Sequence, residues 1–128
     1  MLVKDLCNAY LAALDAGDLD AVLRLFAPGA QVVSPLYGTM PAPAFYAALF
    51  ADTKASDTHL LNIFDQSGTG GAVALHFRYG WTLADGTPVR FEVVDVIELT
   101  EARNAFAKLT IIYDTAPLRS DWATVHKG

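Results

Sequence analysis

Asp95 sits in the run FEVVDVIEL, where a charged group is out of place. Which way it points depends on the turn ADGT, which joins two alternating apolar segments. A two-residue turn pairs Leu83 with Pro88 and sets Asp95 beside His76, Arg78 and Gly80. A three-residue loop, a type I turn plus bulge with Gly86 left-handed, shifts the register by one and pairs Leu83 with Thr87. One face then carries Phe77, Tyr79, Trp81, Val89, Phe91, Val93 and Asp95. The other carries His76, Arg78, Gly80, Thr82, Arg90, Glu92 and Val94, with Arg78 opposite Glu92. The second register separates apolar from polar and sets opposite charges across the strands, so it is the one expected.

Asp95 is then the only ionisable carboxyl on an aromatic, core-facing surface. Burial disfavours its charged form and raises its pKa, by as much as roughly 3–5 pH units when complete. A carboxylic acid kept neutral can donate a hydrogen bond to a carbonyl or a developing oxyanion. With a pKa near neutral it can serve as a general acid or base. It can equally bond a backbone amide or a tyrosine hydroxyl and only fix the fold; both roles are open at this stage. Tyr10, on an apolar helical stripe, carries the same two readings, packing or a hydroxyl in a site, and so do Tyr46 and Tyr113.

Ser34 raises a different question. In VVSPLYG it ends an apolar run immediately before Pro35. A hydroxyl there can punctuate the strand or line a site. A nucleophilic serine needs a base, and no Ser–His–Asp arrangement is visible. His76 falls on the polar face and is expected to be solvated; His59 and His126 are isolated. No cluster has metal-ligand spacing, and no glycine loop leads into a helix to hold phosphate, so neither metal nor organic cofactor is expected. SGTGG lies between strands and reads as a hairpin turn.

These residues need elements to hold them. Residues 2–16 show a helical stripe of Val3, Leu6, Tyr10 and Leu14, widened by Cys7 and Leu11. Gly17 ends it in the left-handed conformation and Asp18 caps a second helix over 19–26, which Pro28 and Gly29 stop. A short strand is predicted at 30–34 and a third helix at about 40–51, with Thr39 as cap and Pro41 and Pro43 in its first turn. Strands follow at 58–66, 71–83, 88–99 and 105–114. On the last, Leu109, Ile111 and Tyr113 face inward, and Lys108, Thr110 and Asp114 outward. The order gives an α+β fold, three N-terminal helices packed on one face of an antiparallel sheet. Residues 115–128 form a tail whose Trp122 can pack down.

The 128 residues fit a single domain, 1–128, and are 53% hydrophobic and 18% charged. The net charge of -5, without a lysine or arginine run, argues against nucleic acid and acidic membrane surfaces. The N-terminus carries Asp5 and no long apolar block, so a signal peptide or membrane span is not expected and a cytoplasmic location is. Cys7 is the only cysteine, so no internal disulfide can form, and it reads as a small buried apolar residue.

The stretch YLAALDAGDLDAVLRLFAPGAQVVSPLYG resembles the opening of bacterial ketosteroid isomerases, and AFYAALF and FEVVDVIEL follow in the expected order. The resemblance covers about residues 8–114. It extends to the SnoaL-like cyclases and the wider nuclear transport factor 2-like superfamily, which includes scytalone dehydratase and limonene epoxide hydrolase. It implies a cone, a curved antiparallel sheet around helices enclosing a deep apolar pocket. It also implies that Tyr10 is the oxyanion-hole tyrosine, Asp95 its protonated partner, Tyr46 a tyrosine supporting the first, and Tyr113 an aromatic covering the ligand. Ketosteroid isomerases are the established case of a carboxylic acid kept neutral by an apolar site. Their catalytic carboxylate stands just before the proline, where this chain has Ser34; the donor half of the site is present and the base is not.

The expected function is binding of a small apolar or aromatic ligand through a carbonyl or phenol oxygen. Tyr10 and Asp95 would be the catalytic pair, and Ser34, Tyr46, Phe77, Tyr79, Trp81, Phe91, Val93, Ile111 and Tyr113 the surrounding wall. Any reaction would be an isomerisation, cyclisation or dehydration. One alternative is a non-catalytic binding or assembly module. Val94, Val96 and Ile112 make an outer apolar patch beside Arg78, Arg90, Glu92 and Glu98, suited to a homodimer. Another is epoxide hydrolysis, which in this superfamily needs an Asp–Arg–Asp grouping. Its only candidates are Asp95, Arg78 or Arg90, and Asp114, and the expected register splits them between faces.

Overall fold

The N-terminal stripe winds into α1 (Val3–Ala16), which buries Leu6, Cys7, Tyr10, Leu11 and Leu14. It is seen in a computed structural model that describes residues 2–66 and 71–127. Gly17 ends α1 at a φ of 63°, and the N–H groups of Gly17 and Asp18 close back on the carbonyls of Leu14 and Ala13. Glycine enters that left-handed region without strain from a Cβ. Asp18 caps α2 (Leu19–Leu23), its Oδ1 accepting from the Ala21 N–H at 3.0 Å.

Here the expectation needs correction. α2 stops at Leu23, not at 26, and Phe26 opens β1 (Phe26–Ser34), which was expected only from 30. A distant strand captures this segment: the Phe106 N–H donates to the Leu25 carbonyl at 2.8 Å, and the rings of Phe26 and Phe106 meet edge-on. Tertiary pairing overrides a weak local preference. Pro28 and Gly29 therefore stop no helix. They lie where the ladder is irregular between Phe26 and Gln31, with Gly29 at a φ of 79°.

β2 (Gly38–Pro41) also was not expected. It folds back on β1, with Ser34 abreast of Gly38 and Gln31 abreast of Pro41. α3 (Ala42–Ala51) consequently begins later than 40, with Pro41 rather than Thr39 at its N-cap and Pro43 in its first turn. β3 (Thr53–Asp65) starts before the expected 58, and β4 (Ala72–Leu83), β5 (Pro88–Leu99) and β6 (Phe106–Ile112) complete a meander. Most of the SGTGG turn lies outside the described residues.

The strands form one curved sheet in the order β2-β1-β6-β5-β4-β3. The fold is α+β as expected, and the sheet is mixed: β1 runs parallel to β6, whereas the other pairings are antiparallel. The β4–β5 hairpin has the three-residue loop. The Leu83 N–H donates to the Thr87 carbonyl at 2.8 Å, and Gly86 sits at a φ of 91°. Trp81, Tyr79, Phe77 and Leu75 stand abreast of Val89, Phe91, Val93 and Asp95. Arg78 is abreast of Glu92, yet Glu92 reaches His76 instead, Oε1 to Nε2 at 2.8 Å. His76 also meets Asn62 at 3.1 Å, so it is a hydrogen-bonded residue of the outer face and not simply solvated.

The segment 115–128 is more than a tail. It contains α4 (Arg119–Lys127), preceded by the buried Leu118. Trp122 packs edge-on against Tyr37, with ring centroids 5.3 Å apart. Among the described residues, no helix is long and apolar enough to cross a membrane.

Candidate functional site

Tyrosines apart, Ser34 and Asp95 are the buried polar side chains of the described residues, and both line the same cavity. The sheet alternation places them there. β4 contributes Phe77, Tyr79 and Trp81, β5 contributes Phe91, Val93 and Asp95, and β6 and its exit contribute Ile111 and Tyr113. The helical side supplies Tyr10 and Leu14 from α1, and Phe45 and Leu49 from α3; Tyr37 comes from the β1–β2 turn. The void measures about 40 Å³. That is room for about three waters at roughly 10–15 Å³ each.

Asp95 is 1% exposed, and its Oδ1 has no hydrogen-bond partner among the described residues. Burial alone raises its pKa well above the ordinary 3.8. Among the described residues no cation offsets that burial, so the protonated form, which can donate to a guest, is favoured. The structural alternative, a carboxyl spent on a backbone amide or a tyrosine, is not what Oδ1 does.

Tyr10 is also buried, and its hydroxyl lies 2.7 Å from that of Tyr46. Burial, reinforced by Tyr46 and Asp95, raises the Tyr10 pKa well above 10.0. Burial and Asp95 raise Tyr46, which its bond to Tyr10 partly offsets. Both remain phenols. Tyr46 was placed on the wall by sequence; the structure sets it behind Tyr10, fully buried and outside the cavity lining, because α3 turns Phe45 and Leu49 toward the void instead. Tyr10 and Asp95 share the cavity without bonding each other, so neither cancels the other's capacity.

Ser34 both ends a strand and lines the site. Its Oγ accepts from the N–H groups of Leu36 and Tyr37, each at 3.2 Å, and so shapes the turn. Tyr79 is tied to Ser56 at 2.8 Å, and the Trp81 indole donates to Thr53 Oγ1 at 2.8 Å, so both aromatic walls are fixed from behind. Phe91 and Tyr113 meet with ring centroids 4.6 Å apart on the more open side.

Sequence reasoning missed Leu14, Tyr37, Phe45 and Leu49. The spacings Tyr10–Leu14 and Phe45–Leu49 mark helical faces, but a stripe does not say which of its members borders a void. Tyr37 had no local signal; β2 and α4 place it, and it donates to Asp52 Oδ2 at 2.5 Å. Burial, reinforced by that bond, raises its pKa. Cys7 is buried, and burial with some help from Asp95 raises its thiol to about 11, so it is an inert apolar filler. Arg78, Arg90 and Asp114 are exposed, away from Asp95, so the Asp–Arg–Asp grouping of epoxide hydrolysis is not assembled. Among the described residues no three His, Cys, Asp or Glu side chains gather as a metal site requires.

A family model described as a SnoaL-like domain matches residues 7–105. No curated protein matches the chain. Among solved structures, a hypothetical protein with a ketosteroid isomerase-like fold from Catenulispora acidiphila, in complex with trimethylamine, is 16% identical. It aligns over 93% of this chain and 92% of its own, with a TM-score of 0.77. TerC, co-crystallised with polyporic acid, is 17% identical over 94% and 98% of the two chains, with a TM-score of 0.78. AclR from Streptomyces galilaeus, described as a putative hydroxylase, is 15% identical over 95% and 96%, with a TM-score of 0.73. At these identities the likeness is one of fold.

Proposed function

The chain belongs to the SnoaL-like domain family, and from that premise we propose that it binds a small organic molecule between Tyr10 and Asp95. The observation that carries this reading is the buried Asp95 carboxyl, whose Oδ1 is unpartnered in an aromatic cavity. A neutral acid in that position donates to an acceptor. Tyr10 supplies a second donor once Tyr46 donates to it, because the Tyr10 proton is then free to turn toward the guest. The ligand is an apolar or aromatic ring bearing a carbonyl or phenol oxygen. TerC's co-crystal with polyporic acid supports an organic guest in such a fold.

Two donors aimed at one oxygen favour charge developing there. Enolate-forming isomerisation, cyclisation and dehydration all develop such charge. In this reading Asp95 also moves the proton, because Ser34 stands where the resembling isomerases carry their carboxylate. A serine hydroxyl without a neighbouring base is no proton acceptor at neutral pH.

Calorimetric titration with 4-nitrophenol tests the reading in the Tyr10→Phe and Asp95→Leu variants. Each lost donor should weaken binding about tenfold, within the range of hydrogen bonds made to a charged partner. Unchanged affinity in the double variant would sink the proposal.

A second copy of the chain is the proposed partner for the outer sheet face. There Ile112 and Phe64 remain 54% and 57% exposed, and Val94 and Val96 lie between them. Arginines and glutamates rim this patch, and an isologous contact sets such opposite charges against one another.

A further inference from the structure

The Ser34 hydroxyl has a fixed polarity. A serine oxygen offers two lone pairs and one proton. Both acceptor positions are occupied by the N–H groups of Leu36 and Tyr37. What remains is the O–H, and among the described residues nothing accepts it. Ser34 is only 6% exposed and lines the cavity, so bulk water does not readily satisfy that proton. The group that resembling enzymes use to take a proton is replaced here by one that can only give a hydrogen bond.

Its position relative to Asp95 follows from the sheet register. Val33 is abreast of Thr110 on the parallel β1–β6 pair, so Ser34 stands level with Ile111. Asp95 is abreast of Ile111 on β5. Ser34, Ile111 and Asp95 thus form one row across three strands, all facing the void. Two strand spacings put the Ser34 and Asp95 backbones about 10 Å apart. The two side chains converge on the space over Ile111, one from either side.

We propose that the cavity holds its ligand by two carbonyl oxygens at once, one at Asp95 and Tyr10 and the other at the Ser34 hydroxyl. The favoured class is a cyclic dione with oxygens on opposite sides of one ring. A ring with a single carbonyl leaves the Ser34 donor unsatisfied, and a buried donor without a partner is costly. The proposal rests on the ligand site described above and adds its second pole.

The test compares cyclohexane-1,4-dione with cyclohexanone by NMR titration, following backbone amides. The wild-type chain should bind the dione about tenfold more tightly, well beyond the statistical gain from two equivalent oxygens. Ser34→Ala should bring the two ligands close to equal affinity. Ser34→Asp keeps an acceptor for the two turn amides while replacing the donor with a carboxylate. It too should abolish the preference, which guards against the alanine variant acting through a loosened turn. Tyr10→Phe should weaken both ligands and leave their ratio intact. If cyclohexanone binds and the dione binds no better, the second pole is wrong and the ligand site stands. A preference that survives both Ser34 substitutions overturns the proposal in the same way. If neither ketone binds, both readings fall.

Discussion

The neutral form of Asp95 is favoured by what its surroundings withhold: among the described residues no cation offsets its burial and no amide partners its Oδ1. That has a signature in stability. In the unfolded chain the carboxyl ionises near 3.8, whereas in the fold it holds its proton to a much higher pH. Between those two values the native state binds more protons than the unfolded one, so raising the pH through that window costs stability. Below the window both states are protonated and the cost vanishes. Asp95→Asn removes the titration. Urea unfolding should therefore show the variant gaining on the wild type as pH rises above about 4, by up to about 1.4 kcal/mol per pH unit for one proton. A difference that stays flat with pH would mean that the buried carboxyl is charged. Ser34 is the complementary case at this scale. Its chemistry is set by two backbone amides that consume its lone pairs, a constraint that no residue type reveals.

At the scale of elements, the β4–β5 hairpin decides which way Asp95 faces. Gly86 sits at a φ of 91°, a region where an L-residue is strained. Gly86→Ala should cost about 1–2 kcal/mol. Thermal unfolding followed by circular dichroism should then show a melting temperature lower by about 5 °C. An unchanged melting temperature would mean that the loop readily adopts another register. This hairpin was legible in the sequence because its two registers differ sharply in how they sort aromatic from charged residues. Gly17 and Asp18 were legible for a similar reason, each acting on its immediate neighbours. Residues 24–29 and 35–41, on either side of the expected strand at 30–34, were not. Leu25 and Phe26 continue a helical stripe, but Phe106, remote in sequence, draws Phe26 into a strand. Gly38–Pro41 is too short to announce itself, and Tyr37 reaches the cavity only because β2 and α4 put it there. Tyr46 shows the same limit inside a helix: periodicity shows that it is buried, not whether it borders the void.

For the whole molecule, the outer face makes the oligomeric state measurable. Light scattering should give a dimer for the wild-type chain and a monomer for Ile112→Arg, with unchanged circular dichroism. A monomer mass for the wild type at all concentrations would remove the second copy from the account. The cavity at about 40 Å³ is smaller than a six-membered ring requires, so side chains at its mouth must give way to a guest. Tyr37 of the lining has Trp122 of α4 against it, and Arg119 holds the Pro35 carbonyl at 3.4 Å. The parallel β1–β6 pair has a consequence in time as well as in space. Ser34 leaves the ribosome early, but its neighbouring strand lies far along the chain, and β2 through β5 must be synthesised before the two can meet. Long-range pairing of this kind slows folding and leaves strand edges exposed meanwhile. A nascent chain that has made α1 through β5 already carries Tyr10, Ser34 and Asp95, yet it has no floor between the last two. The site closes only when β6 arrives, so an interrupted translation product would be open-edged and unable to hold a ligand.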